Sequence, residues 1–187
     1  MGYDINVFVS RLPQNPIPAW TTRLNAHDSL RFEIHPSIKF GPGLSGFFPI
    51  KVTVPGRWPF SSSESYMSGF EMSVRSFDFE SHFGPKNGDV ETKRQQLRAE
   101  ELDLELWEGF TSQILVSFKS KNRFEARLSF LSAAILTEEM GVICTDPQTG
   151  ETLDQDRLFS WAAERVRQYE LDTHGQDLIS YPFDDWK

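Results

Sequence analysis

Phe124, Leu128, Leu131 and Ile135 fall at i, i+4, i+7 and i+11, a spacing that places four large apolar side chains on one stripe of an α-helix. A stripe of that kind has to be covered, and the chain supplies the cover in segments that alternate with period two. Residues 3–10 carry Ile5, Val7, Phe8 and Val9. Leu30, Phe32 and Ile34 alternate with Arg31, Glu33 and His35. Phe70, Met72 and Val74, within 69–79, alternate with Glu71, Ser73 and Arg75, and Ile114, Val116 and Phe118 repeat the pattern. Such alternation belongs to strands with one dry and one wet face, mostly antiparallel, so the helix is expected to pack on a sheet. Residues 47–54 read as a further strand, in which Pro49 lacks a ladder donor and favours an edge or a bulge.

Helix boundaries are also written locally. Pro16 and Pro18 lead into a short helix over 19–26 with Trp20 and Leu24 on one face. Asn122 and Glu125 form a capping-box pair for the main helix, Gly141 ends it, and Val142, Ile143 and Cys144 make a short strand. Asp154 can cap a last helix, from Gln155, that turns Leu158, Trp161, Ala162, Val166 and Tyr169 inward. The C-terminal half thus reads as strand, helix, strand, helix, its two strands parallel and joined by a right-handed crossover if they are neighbours. Residues 61–65 and 80–94, the latter with Gly84, Pro85, Asn87 and Gly88, read as loops. The expected architecture is α+β: one domain, 1–187, a two-layer sandwich with a mixed, mostly antiparallel sheet of about five or six strands.

Composition sets outer limits. The chain has 187 residues, 39% of them hydrophobic and 16 of them Phe, enough for one core. A net charge of −8, with no run of Lys and Arg, opposes nucleic-acid binding. The longest nearly unbroken apolar run, 128–136, is too short to span a bilayer, so no membrane segment is expected. Asp4 and the lack of an early basic residue argue against a secretory signal, and Asn6 stands where a myristoylation motif needs Ser or Thr. Cys144 is the sole cysteine, which excludes an intrachain disulfide and fits a reducing, cytoplasmic setting.

Motifs that resemble catalytic or cofactor signatures fail on context. Gly41, Gly43 and Gly46 have the G-x-G-x-x-G spacing, but a strand-like segment follows where a phosphate-binding helix is required. Gly43-Leu44-Ser45-Gly46 is one residue short of a nucleophile elbow. His27, His35, His82 and His174 lack partners at metal-ligand spacing. Cys144 lies in an apolar run and reads as a core thiol, and Asp146-Pro147-Gln148-Thr149-Gly150-Glu151 reads as a tight turn. No catalytic residue, metal or cofactor is therefore expected.

The remaining feature is acidic. Residues 100–108 hold five carboxylates and no basic residue, with Trp107 among them. As a strand the segment would align Glu101, Asp103 and Glu105, and as a helix Glu101, Glu105 and Glu108. The stripe is either a solvated face or a partner-binding surface made of Glu101, Asp103, Glu105, Trp107 and Glu108. Residues 124–151, the helix running into Gly141-Val142-Ile143 and then Asp146-Pro147-Gln148-Thr149-Gly150-Glu151, resemble a pattern in uncharacterised bacterial proteins, some of them similar to immunity proteins of polymorphic toxin systems. The resemblance implies a small bacterial α+β protein and hints at toxin neutralisation. Together these features make a non-enzymatic binder of a basic protein partner the leading expectation. A small-ligand binder with an aromatic pocket around Phe47 or Trp58, or an enzyme with a site hidden in sequence, stay open.

Overall fold

The computed structural model describes residues 2–56, 62–83, 90–99, 103–119, 122–140, 143–153, 155–174 and 176–186. In chain order these form β1 (Tyr3–Val9), α1 (Ile17–His27), β2 (Arg31–Ile34), β3 (Ser45–Val54), β4 (Glu64–Ser76), α2 (Phe79–Phe83), α3 (Val90–Ala99), α4 (Leu104–Glu108), β5 (Ser112–Phe118), α5 (Glu125–Met140), β6 (Ile143–Asp146), β7 (Glu151–Leu153), α6 (Leu158–Asp172) and β8 (Tyr181–Pro182). The fold is α+β, with an eight-stranded sheet in the order β2-β3-β4-β5-β1-β6-β7 and β8 beside β4. All of the paired named strands are antiparallel. Among the described residues, no helix is long and apolar enough to cross a membrane.

Alternation decides which face each strand buries. Ile5, Val7, Val9, Phe32, Phe48, Ile50, Phe70, Met72, Val74, Ile114, Val116 and Phe118 all enter one core, against α1, α5 and α6. Trp20 of α1 stacks on Phe48 with ring centroids 4.8 Å apart, and Trp161 of α6 meets Phe130 of α5 edge-on at 5.4 Å. The expected stripe on α5 is buried, but so is nearly every residue from Ala126 to Thr137. The expected inward positions of α6 are likewise enclosed, with Tyr169 half-buried. At the start of α5, Asn122 Oδ1 accepts from the Phe124 amide at 3.0 Å, and Glu125 reaches back to the Asn122 amide at 3.4 Å, the reciprocal arrangement the two residue types suggest. Gly141, Val142 and Asp154 lie outside the described residues. Residues 155–157 form a turn, so α6 opens at Leu158, with Arg157 as its N-cap.

The sheet has eight strands where about five or six were expected, and the condition set on the strands flanking α5 is not met. The strands β5 and β6 are not neighbours: β1 lies between them and pairs antiparallel with both, so they run parallel only at one strand's remove. The β1 pairing joins residues more than 100 positions apart, which local periodicity cannot register. Next, β3 is an interior strand. Pro49 is tolerated just past the last β2 pair, Ile34 with Ile50, where its carbonyl accepts from the His35 amide at 3.2 Å and no ladder donor is asked of it. Finally, the loop expected over 80–94 contains the end of α2 and the start of α3, with 84–89 outside the described residues. Asp78 Oδ1 accepts from the Ser81 amide at 2.7 Å and starts α2, while α3 is too polar to display an apolar stripe. The second expected loop, 61–65, is shortened because β4 begins at Glu64.

The opposite sheet face carries a second, smaller core. Phe8 projects there with Ile143, and Phe77, Phe79, Leu104, Trp107 and Phe110 close over them. The imidazole of His82 joins this cluster, edge-on to Phe8 at 5.6 Å and to Phe83 at 4.7 Å, and burial pushes its pKa below the ordinary 6.5.

Gly69 has a φ of +149°, and a Cβ there would stand 2.1 Å from the Phe48 carbonyl oxygen. Gly69→Ala is expected to lower unfolding free energy by at least about 2 kcal/mol in urea titrations. Arg127 on α5 joins both oxygens of Asp28, at 3.0 and 2.9 Å, and bonds Glu170 of α6; the Asp28 side chain is only 4% exposed. Arg127→Met would strand that carboxylate and is expected to cost about 2–3 kcal/mol in the same assay. The His82 ring favours its neutral form in the folded chain. Above pH 6.5 neither state binds its proton; as pH falls, the unfolded chain protonates first, so stability declines until the pH passes the folded-state pKa. Urea midpoints compared just above and below that window should drop for the parent, and His82→Phe should flatten this component.

Candidate functional site

The acidic segment is reorganised by its surroundings. Asp103 is the N-cap of α4, its Oδ1 accepting from the Leu106 amide at 3.1 Å. Glu105 is exposed on the helix. Glu108 accepts from Arg94 Nε at 3.0 Å, so α3 supplies the counter-charge that the segment itself lacks. Trp107 is enclosed between Phe8, Phe83 and Phe110, at centroid distances of 4.8, 5.0 and 5.7 Å, and presents no free face for a partner. Glu101 lies outside the described residues. The structure therefore leaves Glu105 exposed, ties Asp103 and Glu108 to local partners and places Trp107 in the chain's own second core.

Between that core and β2, the same sheet face is open. Its middle is polar: Ser117 donates to Asp4 at 2.6 Å and Gln113 to Asn6 at 2.8 Å, in a row of cross-strand side chains. Its β3–β4 corner differs. Phe48 points into the main core, so the pleat turns Phe47 outward, where it is 51% exposed. Tyr181 of β8 and Ile179 just before it are 54% and 43% exposed. These are three of the four large exposed hydrophobic side chains among the described residues, and all three border one apolar depression of about 340 Å³.

Phe47 and Met67 also form a wall of an adjoining groove of about 550 Å³, so the two hollows are halves of one surface. The C-terminal tail builds the other wall. The Phe183 amide donates to Ser65 O at 2.9 Å, continuing the β8 pairing with β4 at Tyr66 and Met67. Trp186 then packs edge-on against His35 at 4.7 Å and against Phe183 at 4.9 Å. Asp184 and Asp185 both line the groove and are exposed, and neither has an ion pair among the described residues. Lys51, nearby, bonds Glu33 at 2.7 Å and stands 5.1 Å from the centroid of Phe183. Phe47, one of the two residues around which a pocket was expected, lines both hollows, and Trp58 lies outside the described residues.

The other motifs take structural roles. Gly43 adopts positive φ in the turn before β3 and Gly46 at the second residue of β3 itself, so the motif runs straight into a strand. Asp146 to Glu151 forms the β6–β7 turn, with the Asp146 carbonyl accepting from Gly150 at 2.8 Å. The Asp146 side chain is fully buried, receives the Tyr3 hydroxyl at 2.5 Å and lies 3.4 Å from Arg165. Burial and that bond raise the Tyr3 pKa. Cys144 is enclosed, and burial pushes its thiol up to about 12. No group of three or more His, Cys, Asp or Glu among the described residues could hold a metal ion.

Sequence reasoning missed Tyr181, Asp184, Asp185 and Trp186. For the last three the signal was present in the Phe183-Asp184-Asp185-Trp186 string, which mixes aromatic and acidic residues in a segment with no helical or strand period. In comparisons with known proteins, the chain matches no family model, no curated protein and no solved structure.

Proposed function

We propose that this protein is a non-enzymatic interaction module that binds a basic protein partner through the Phe47–Ile179–Tyr181 surface and the acidic groove beside it. The observation that carries this reading is the convergence of three exposed large apolar side chains with two exposed carboxylates that have no ion pair among the described residues, on one corner of the sheet. Contiguous apolar surface bounded by polar groups is the usual composition of a recognition patch. The carboxylates set the sign of the partner, and the net charge of −8 extends the attraction outward, raising encounter rates with a cationic protein. Glu105 on α4, with Glu101, Asp103 and Glu108 in its segment, adds to that field as a steering surface. Trp107 contributes by holding α4 in place.

In its finer form, implied by the resemblance of residues 124–151, the reading is an immunity protein that neutralises a basic toxin in a bacterial cytoplasm. The second reading is a small-ligand binder, favoured by the groove's volume of about 550 Å³, which suits a small molecule. A purified partner captured from the native host separates the two. Its association rate with this chain should fall at least about tenfold between low and high salt. The double variant Phe47→Ser, Tyr181→Ser should weaken binding by about tenfold or more at unchanged melting temperature. An acidic partner, or one indifferent to both salt and the double variant, would overturn the proposal.

A further inference from the structure

Resting on the reading that the partner is basic, we infer that the groove takes an arginine side chain of that partner. Asp184 and Asp185 accept from its guanidinium, and Trp186, His35 and Phe47 form the walls. The ring geometry is the first argument. Trp186 meets His35 at an interplanar angle of 78° and Phe183 at 70°, and these two edge-to-face contacts set its ring as one planar wall of the groove. A planar cation can lie against such a wall and still direct its N–H groups sideways, whereas an ammonium is a compact point charge.

The acceptors are the second argument. The Asp185 carboxylate is oriented by the Trp186 amide, which donates to Oδ1 at 2.8 Å, and that single bond leaves acceptor capacity for a ligand. Asp184 is the adjoining acceptor on the same groove. Five donors in a rigid fork can serve two neighbouring carboxylates while the plane stays stacked. The third argument is the chain's own cation. Lys51, beside Phe183, is already engaged by Glu33, and Lys119 borders the adjoining depression and not the groove that holds Asp184 and Asp185, so the Asp pair is left to an incoming charge.

The test uses the full chain and three capped tripeptides, acetyl-Leu-Arg-Leu-amide and its lysine and citrulline counterparts, followed by ¹H–¹⁵N NMR. The Trp186 indole signal is assigned with Trp186→Phe. The arginine peptide should shift that signal saturably and bind at least about fivefold more tightly than either counterpart. The double variant Asp184→Asn, Asp185→Asn should lower its affinity about tenfold, with the remaining spectrum native. Equal binding of arginine and citrulline, or an unmoved Trp186, overturns the inference. Equal binding of arginine and lysine that still depends on the Asp pair overturns the guanidinium assignment and leaves the basic-partner reading standing. A captured partner that perturbs neither Phe47 nor Trp186 removes the reading itself.

Discussion

The burial of α5 on all sides is the constraint around which the rest of the chain is arranged. From Ala126 to Thr137 it offers almost no face to water, so one layer of sheet cannot suffice to cover it. β1, β4, β5 and β6 lie along it, and α1 and α6 flank it. Its residues suit that position. Ala126, Ser129, Ala133 and Ala134 let neighbours approach, while Ser129 and Thr137 each donate to the carbonyl four residues back, at 2.7 Å, so their hydroxyls are satisfied without an outside partner. Arg127 is the polar exception near the helix start, and it ties α1 to α6 across α5 through Asp28 and Glu170.

Because that side of the sheet is saturated, surface chemistry falls to the other side. There the strands carry Asp4, Asn6, Gln113 and Ser117, which bond one another across the sheet. Among the described residues, aromatic side chains stand at two places on this face, and the two behave differently. Near β1 and β6, Phe8 is closed over by α2 and α4 and becomes a second core. Near β3 and β4 the tail arrives, and Phe47, Tyr181 and Ile179 stay partly bare among the described residues. At the outer edge of β2, the Asn25 side chain both donates to Phe32 O and accepts from Phe32 N, at 2.9 and 2.8 Å. It occupies the backbone groups that a further strand would use at Phe32, which blocks strand addition to β2 at that position.

Legibility in the sequence tracks how local the cause is. The strands β1, β2, β4 and β5 were readable because each buries one face, and α5 and α6 because their apolar positions recur with helical period. The three-residue β7 and two-residue β8 are too short to carry a period. That β1 separates β5 from β6 is fixed by pairing between distant segments, which no window contains. The same limit governs the site. The acidic run was visible, but its charge balance depends on Arg94 and its tryptophan on Phe8, both outside the run. The groove joins His35, Phe47 and Met67 to residues 182–186, so the pattern that could have revealed it was indirect: Phe47 is a large apolar side chain out of phase with Phe48, Ile50 and Val52.

The way the tail is held bears on how such a surface works. β8 has two residues, and one of them, Pro182, can donate nothing to β4. Beyond it the tail is fastened by the Phe183 amide and by ring contacts of Phe183 and Trp186, none of which belongs to the main core. Opening this segment breaks few bonds and exposes little apolar area compared with unfolding the sheet, so it sits at the low-stability end of the molecule. A wall with that character can adjust to a ligand, and ordering it on binding lowers the net affinity gained from each contact. The apolar patch beside it rests on β3 and β4, whose register is fixed by ten paired positions and by the close approach at Gly69. One half of the surface is therefore rigid and the other adaptable, and on the proposed reading the platform would set where a partner lands and the tail which charged side chain is accepted.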